Sequence, residues 1–204
     1  MEMNVAQAEV LVTQVQTAHR LAVGFYQRLL PLLTRIAGEF DTQFWYWEPT
    51  NTSRPSPSTT SPNNKWKWDL VPLFASRHVF WRIAGEQAQQ GDVAIVFNVY
   101  LDEDFKPDRR KSLGIKGQPD PLSLNGSATV EIYLYRCTVD SEAPFQKMWD
   151  AVEWPDDKIK GWHTVGQKMS ACRLGYPLAQ FIAAPEGVIA DVQKAFAEMA
   201  AGGD

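Results

Sequence analysis

Three segments of this chain alternate apolar and polar side chains with period two, and that pattern limits its possible folds more than any other feature. Residues 76–84 set Val79, Trp81 and Ile83 against His78, Phe80 and Arg82. Residues 92–101 set Val93, Ile95, Phe97, Val99 and Leu101 against Ala94, Val96, Asn98 and Tyr100. Residues 128–138 set Val130, Ile132 and Leu134 against Thr129, Glu131, Tyr133, Tyr135 and Cys137. Successive strand residues point to opposite faces, so each run predicts a half-buried strand. The connection between the first two runs is too short for a crossover, which predicts antiparallel pairing.

Helical spacing brackets these strands. From residue 4 to about 37, Val5, Ala8, Val12, Val15, Ala22, Tyr26, Leu29, Leu33 and Ile36 recur at three- and four-residue steps, with His19 on the same stripe. Leu11, Ala18, Leu21, Phe25 and Leu32 widen the stripe, so this helix is expected to be covered on more than one side. Pro31 is expected to kink or split it near Leu30, and Gly38 to stop it. Residues 143–152 predict a short helix with Pro144 near its first turn. Residues 185–201 predict a terminal helix with Val188, Val192, Phe196 and Met199 on its stripe, ended by the glycines at 202–203. Gln43 to Trp47 is aromatic enough for a strand, and 169–182 predicts a last strand interrupted at Gly175 and Pro177. No internal repeat is evident, and no heptad array long enough for a coiled coil is expected.

Strands do not alternate with crossover helices, so a doubly wound parallel sheet is disfavoured. The expectation is an α+β fold: a twisted antiparallel sheet of about 4–6 strands, with the long N-terminal helix and the C-terminal helix packed largely on one face. One domain over 1–204 is expected. The Pro/Ser/Thr-rich stretch 49–64 has too little apolar surface to offset its ordering entropy and is expected to be a mobile loop. The 105–127 connection is long, with three prolines and three glycines.

Composition narrows the function class. Hydrophobic residues at 45% over 204 residues are enough for a core and rule out a disordered chain. No apolar run is long enough to span a bilayer. A net charge of -4 argues against duplex nucleic acid, whose binders gain affinity by neutralising phosphates. Cys137 and Cys172 match no metal-binding spacing and are expected to be buried thiols. The N-terminus has an acid where an export signal needs basic residues, so a cytoplasmic address is expected.

No nucleophile elbow, phosphate loop or dinucleotide fingerprint is present. His19, His78 and His163 are dispersed. Asp120 and Glu131 have a spacing similar to the acidic pair of a PD-(D/E)xK nuclease, but Tyr133 stands where that pattern has its lysine. The face opposite the apolar side of the sheet is expected to collect His78, Phe80, Arg82, Asn98, Tyr100, Glu131, Tyr133 and Tyr135. Tyrosines there add contact area with polar tips, which suits a protein interface, and Trp149 and Trp154 are expected as exposed anchors. The leading expectation is a noncatalytic binding protein with a protein partner, with a homodimer possible and no cofactor. One alternative is a metal-dependent hydrolase or nuclease using Asp102, Asp104, Glu131 and His78, since carboxylates at strand ends can hold a hard cation. The other is single-stranded nucleic acid binding through Lys65, Trp66, Lys67 and Trp68, although these are read first as a strand with Trp on one face and Lys on the other.

Overall fold

Hydrophobic alternation and chain order produce a single six-stranded sheet, all antiparallel, in a computed structural model that describes residues 3–155, 158–166 and 168–201. The strands are β1 (Gln43–Pro49), β2 (Ala75–Arg82), β3 (Val93–Tyr100), β4 (Thr129–Cys137), β5 (His163–Thr164) and β6 (Met169–Pro177). They lie in the order β1-β2-β3-β4-β6-β5. The helices are α1 (Val5–Gly38), α2 (Pro107–Ser112), α3 (Phe145–Asp150), α4 (Leu178–Ala183) and α5 (Pro185–Ala201). The architecture is α+β, as the element order implies.

One face of the sheet is apolar and buried. Phe80, Ile95, Phe97, Val99, Val130, Ile132 and Leu134 pack beneath the C-terminal part of α1 and beneath α4 and α5. Phe97 sits at its centre, fully buried between the rings of Phe80 and Phe181. Val188 and Val192 of α5 are buried there and Phe196 partly so, whereas the Met199 side chain and the glycines at 202–203 lie outside the described residues. Cys137 and Cys172 are free thiols buried on opposite faces, and burial pushes Cys137 up to about 11.

The other face is covered mainly by loops. Val79, Val96, Tyr133 and Tyr135 meet Phe145 and Trp149 of α3. At the far end, Tyr100 and Phe105 pack with Trp68 and Phe74. The stretch 105–127 contains α2 and is pinned by buried carboxylates. Asp102 accepts hydrogen bonds from the Asp104 and Gly126 amides, and Asp104 accepts one from the Asn125 amide. Gly126 is required by this close approach, because a Cβ there would lie 2.7 Å from the Asp104 amide nitrogen. Within 49–64, Asn51 donates to the Phe105 carbonyl, and the Ser53 amide donates to Asp69.

Several expectations are corrected. The β2 faces are inverted: Phe80 pairs with Ile95 and His78 with Phe97, so His78 and Phe80 lie on the helix side, while Val79 lies opposite. Residues 178–182 are helical, because Pro177 ends β6 and leads directly into α4. Residues 65–68 form no strand: Lys67–Leu70 is a 3-10 turn, with the Trp68 indole donating to the Pro119 carbonyl. The helix α1 runs through Pro31 without splitting and ends where Thr42 donates to the Ala37 carbonyl.

The largest correction concerns what covers α1. Asn4 and Gln7 form a capping box at its start, and its tertiary packing begins only at Phe25. Residues 5–23 form an arm about 28 Å long, exposed except for half-buried Ala8. Val5 is 75% exposed, Leu21 68% and Val12 55%, against 1% for Leu29 and Leu33 farther along the same stripe. The stripe alternates three- and four-residue steps without a break from Val5 to Ile36, which is a heptad seam longer than expected.

Candidate functional site

Two features stand out: the polar seam inside the loop-covered face, and the uncovered arm of α1.

The seam is built from β2, β3, β4 and β6. Glu131, 7% exposed, points to the loop side, where Oε1 accepts from Lys106 Nζ at 2.9 Å and from Arg173 Nη2 at 2.6 Å. Its Oε2 accepts from the Tyr133 hydroxyl at 2.9 Å. Burial alone would raise the Glu131 pKa, but the hydrogen bonds and charges of Lys106 and Arg173 outweigh it and hold the carboxyl below its ordinary value. Beside it, Arg77 donates to Glu48 at 2.7 Å and to Asn98 at 3.2 Å, and its guanidinium lies 4.0 Å from the Trp154 ring centre.

The sequence-derived residues divide accordingly. Asn98, Tyr100, Glu131, Tyr133 and Tyr135 share this face, and all are buried. Trp149 is also buried, its indole donating to the Tyr46 hydroxyl, so it is not an exposed anchor. Trp154 remains 43% exposed and covers the edges of Tyr133 and Tyr135. Arg82 is not in the group: it is exposed at the end of β2 and reaches the Phe40 carbonyl on the helix side. Arg77, Lys106 and Arg173 were missed. The β2 register points to Arg77, which lies two residues before Val79, and Arg173 sits opposite Tyr133 in the ladder. Lys106 comes from a loop, and no local sequence signal marks it.

The hydrolase constellation does not assemble. His78 lies on the opposite face from Glu131, within 3.0 Å of Ser76 Oγ, and burial lowers its pKa to about 4. Asp102 and Asp104 are occupied as backbone caps, and exposed Asp120 caps the turn at Leu122. Among the described residues, no group of three His, Cys, Asp or Glu side chains is placed to hold a metal ion. At 65–68, Lys67 is folded back onto the carbonyls of Pro62 and Asn63, while the half-exposed Trp66 ring faces Arg110.

The arm is different in kind. Among the described residues, Thr13, Thr17 and His19 hydrogen-bond only to carbonyls one turn back on their own helix. Its apolar surface is therefore presented outward with no competing polar network. Glu9 and Arg20 are the only charged residues between 5 and 23. Among the described residues, no helix is long and apolar enough to cross a membrane.

A family model described as PM0109 matches residues 6–185, a span that includes all of the arm after Val5 and the whole sheet. No curated protein and no solved structure matches the chain.

Proposed function

This chain belongs to the PM0109 family, and we propose that it is a noncatalytic cytoplasmic protein that works by binding protein, with the α1 arm as its principal docking surface. The observation that carries this reading is the row of large apolar side chains left in water along residues 5–23. The arm is rich in β-branched Val and Thr, which are weaker helix formers than Ala or Leu, so intrinsic propensity contributes little to holding it helical. Burying its apolar stripe against another protein supplies the stabilisation that the rest of the chain does not. The aromatic-polar sheet face supports the same reading only at Trp154, since its other members lie beneath α3 and the loops.

Native mass spectrometry of the gently purified full chain tests this. Species heavier than the 23.0 kDa monomer are expected, and they should disappear when Val12 and Val15 are both changed to Lys. Far-UV circular dichroism should show the sheet retained. An assembly indifferent to the double substitution removes the arm as the docking surface.

A further inference from the structure

We infer that the occupant of the arm is a second copy of this chain, with the two arms paired antiparallel about a two-fold axis between Thr13 and Gln14. This rests on the arm being the docking surface and adds the partner and the register. Three independent features converge on it.

The first is the seam. In heptad terms Val5, Val12, His19 and Tyr26 are a positions, and Ala8, Val15, Ala22 and Leu29 are d positions. Antiparallel coiled coils pair a with d. Setting Val12 against the second copy's Val15 places Val5 against the second copy's Ala22 and Ala8 against its His19. Each bulky residue outside the central layer then faces alanine, the large-on-small alternation that close helix packing needs. Leu11 and Ala18, both g positions, flank the seam on one side and extend the apolar contact.

The second feature is charge. In this register Glu9 of each copy lies on the same flank as the second copy's Arg20, so the arm's two charges pair with their opposites twice across the axis. In a parallel pair the flank carrying Glu9 and Arg20 faces the second copy's other flank, which holds Leu11, Gln14 and Ala18, so neither charge gains an opposite neighbour. Opposite pairing sets orientation more than it adds affinity.

The third is length. The same register brings Asn4, where the helix is capped, level with the second copy's Val23. Tertiary packing within each copy begins at Phe25. Each arm is thus used along its whole exposed length and stops where the other body begins, with the two bodies at opposite ends. The interface is isologous and closed, so it makes dimers rather than fibres. A lipid surface fits less well, because membrane-surface helices are lined with Lys and Arg, and this arm has Arg20 alone.

Single-cysteine variants of the full chain test the register, since Cys137 and Cys172 are buried thiols. Val12→Cys and Val15→Cys proteins are mixed under mild oxidation and the disulfide products resolved by mass. The expected product is the mixed dimer joined between positions 12 and 15, in at least several-fold excess over either homodimer. Predominant 12–12 and 15–15 products would overturn antiparallel pairing while leaving the arm as a docking surface. A wild-type chain that stays monomeric up to high micromolar concentration would overturn the second copy as occupant, as would binding of monomer to vesicles of phosphatidylcholine and phosphatidylglycerol. An assembly whose mass is unchanged by the Val12 and Val15 lysine substitutions would instead overturn the arm itself. As a check insensitive to cysteine chemistry, Glu9→Arg and Arg20→Glu should each weaken the dimer by about a few-fold, and the doubly swapped chain should regain it.

Discussion

The two faces of the sheet are built from the same three central strands, yet one holds almost only hydrocarbon and the other holds a buried carboxylate, three cations and a set of tyrosines. The covering elements explain the difference. Helices satisfy their own backbone hydrogen bonds, so α1, α4 and α5 can press onto Phe97 and Ile132 with side chains alone. Loops bring unpaired amides and carbonyls with them, and each must find a partner once buried. Asp102 and Asp104 take up the amides of 104, 125 and 126, Asp69 takes up that of Ser53, and Asn51 and Trp68 serve carbonyls. The polar character of the second face is the condition for covering a sheet with irregular chain, and its ion pairs are internal ties.

Three changes probe this contrast, the first with the largest effect. Phe97→Ala should cost about 3–5 kcal/mol by urea denaturation, since it empties the middle of the helix-covered core. A cost under about 1 kcal/mol would mean that face is not close-packed.

Acid should then attack the two faces in different pH windows. His78, on the helix side, has its pKa lowered from 6.5 to about 4 by burial. The unfolded chain therefore binds the extra proton first. Stability is full above about pH 6.5 and falls as pH drops toward 4, by on the order of 3 kcal/mol. Glu131 has a folded pKa below 4.5, so its contribution is present above 4.5 and is lost as pH falls through the folded value. Urea midpoints across pH 3.5 to 7.5 should lose the upper slope in His78→Gln and the lower one in Glu131→Gln. An upper slope that persists in His78→Gln would break the assignment.

The smallest effect is expected at Tyr135, whose buried hydroxyl has no hydrogen-bond partner among the described residues. Tyr135→Phe removes an unsatisfied polar group and should leave stability unchanged or raise it by up to about 1 kcal/mol. A loss of that size would reveal a partner for the hydroxyl.

The sheet was legible because Asn98 in β3 and Glu131 in β4 mark the face opposite Phe97 and Ile132, which fixes the faces of those two strands without reference to neighbours. In β2 the run Val79, Phe80, Trp81 is apolar throughout, so local periodicity cannot orient it. The ladder decides, by placing Phe80 opposite Ile95. Residues 178–182 continue the apolar character of β6, so composition does not distinguish a helix start after Pro177 from an interrupted strand. At the site, alternation identified Asn98, Glu131 and Tyr133, but Lys106 reaches Glu131 across 25 positions, a closure only the folded chain makes. For α1, spacing reveals an apolar stripe and is silent about whether this chain or another covers it.

The edge strand β1 has a bulge between Phe44 and Tyr46, and the extra residue there is Trp45. Its indole stacks on Trp81 with ring centres 3.9 Å apart and planes 11° from parallel. Two chromophores held this closely, one on the last strand of the sheet and one on its neighbour, couple their electronic transitions. The chain therefore carries its own optical gauge of that edge. An exciton couplet in the ultraviolet dichroism reports β1 zipped onto β2 and fades if the edge peels away before the centre melts, with no added label.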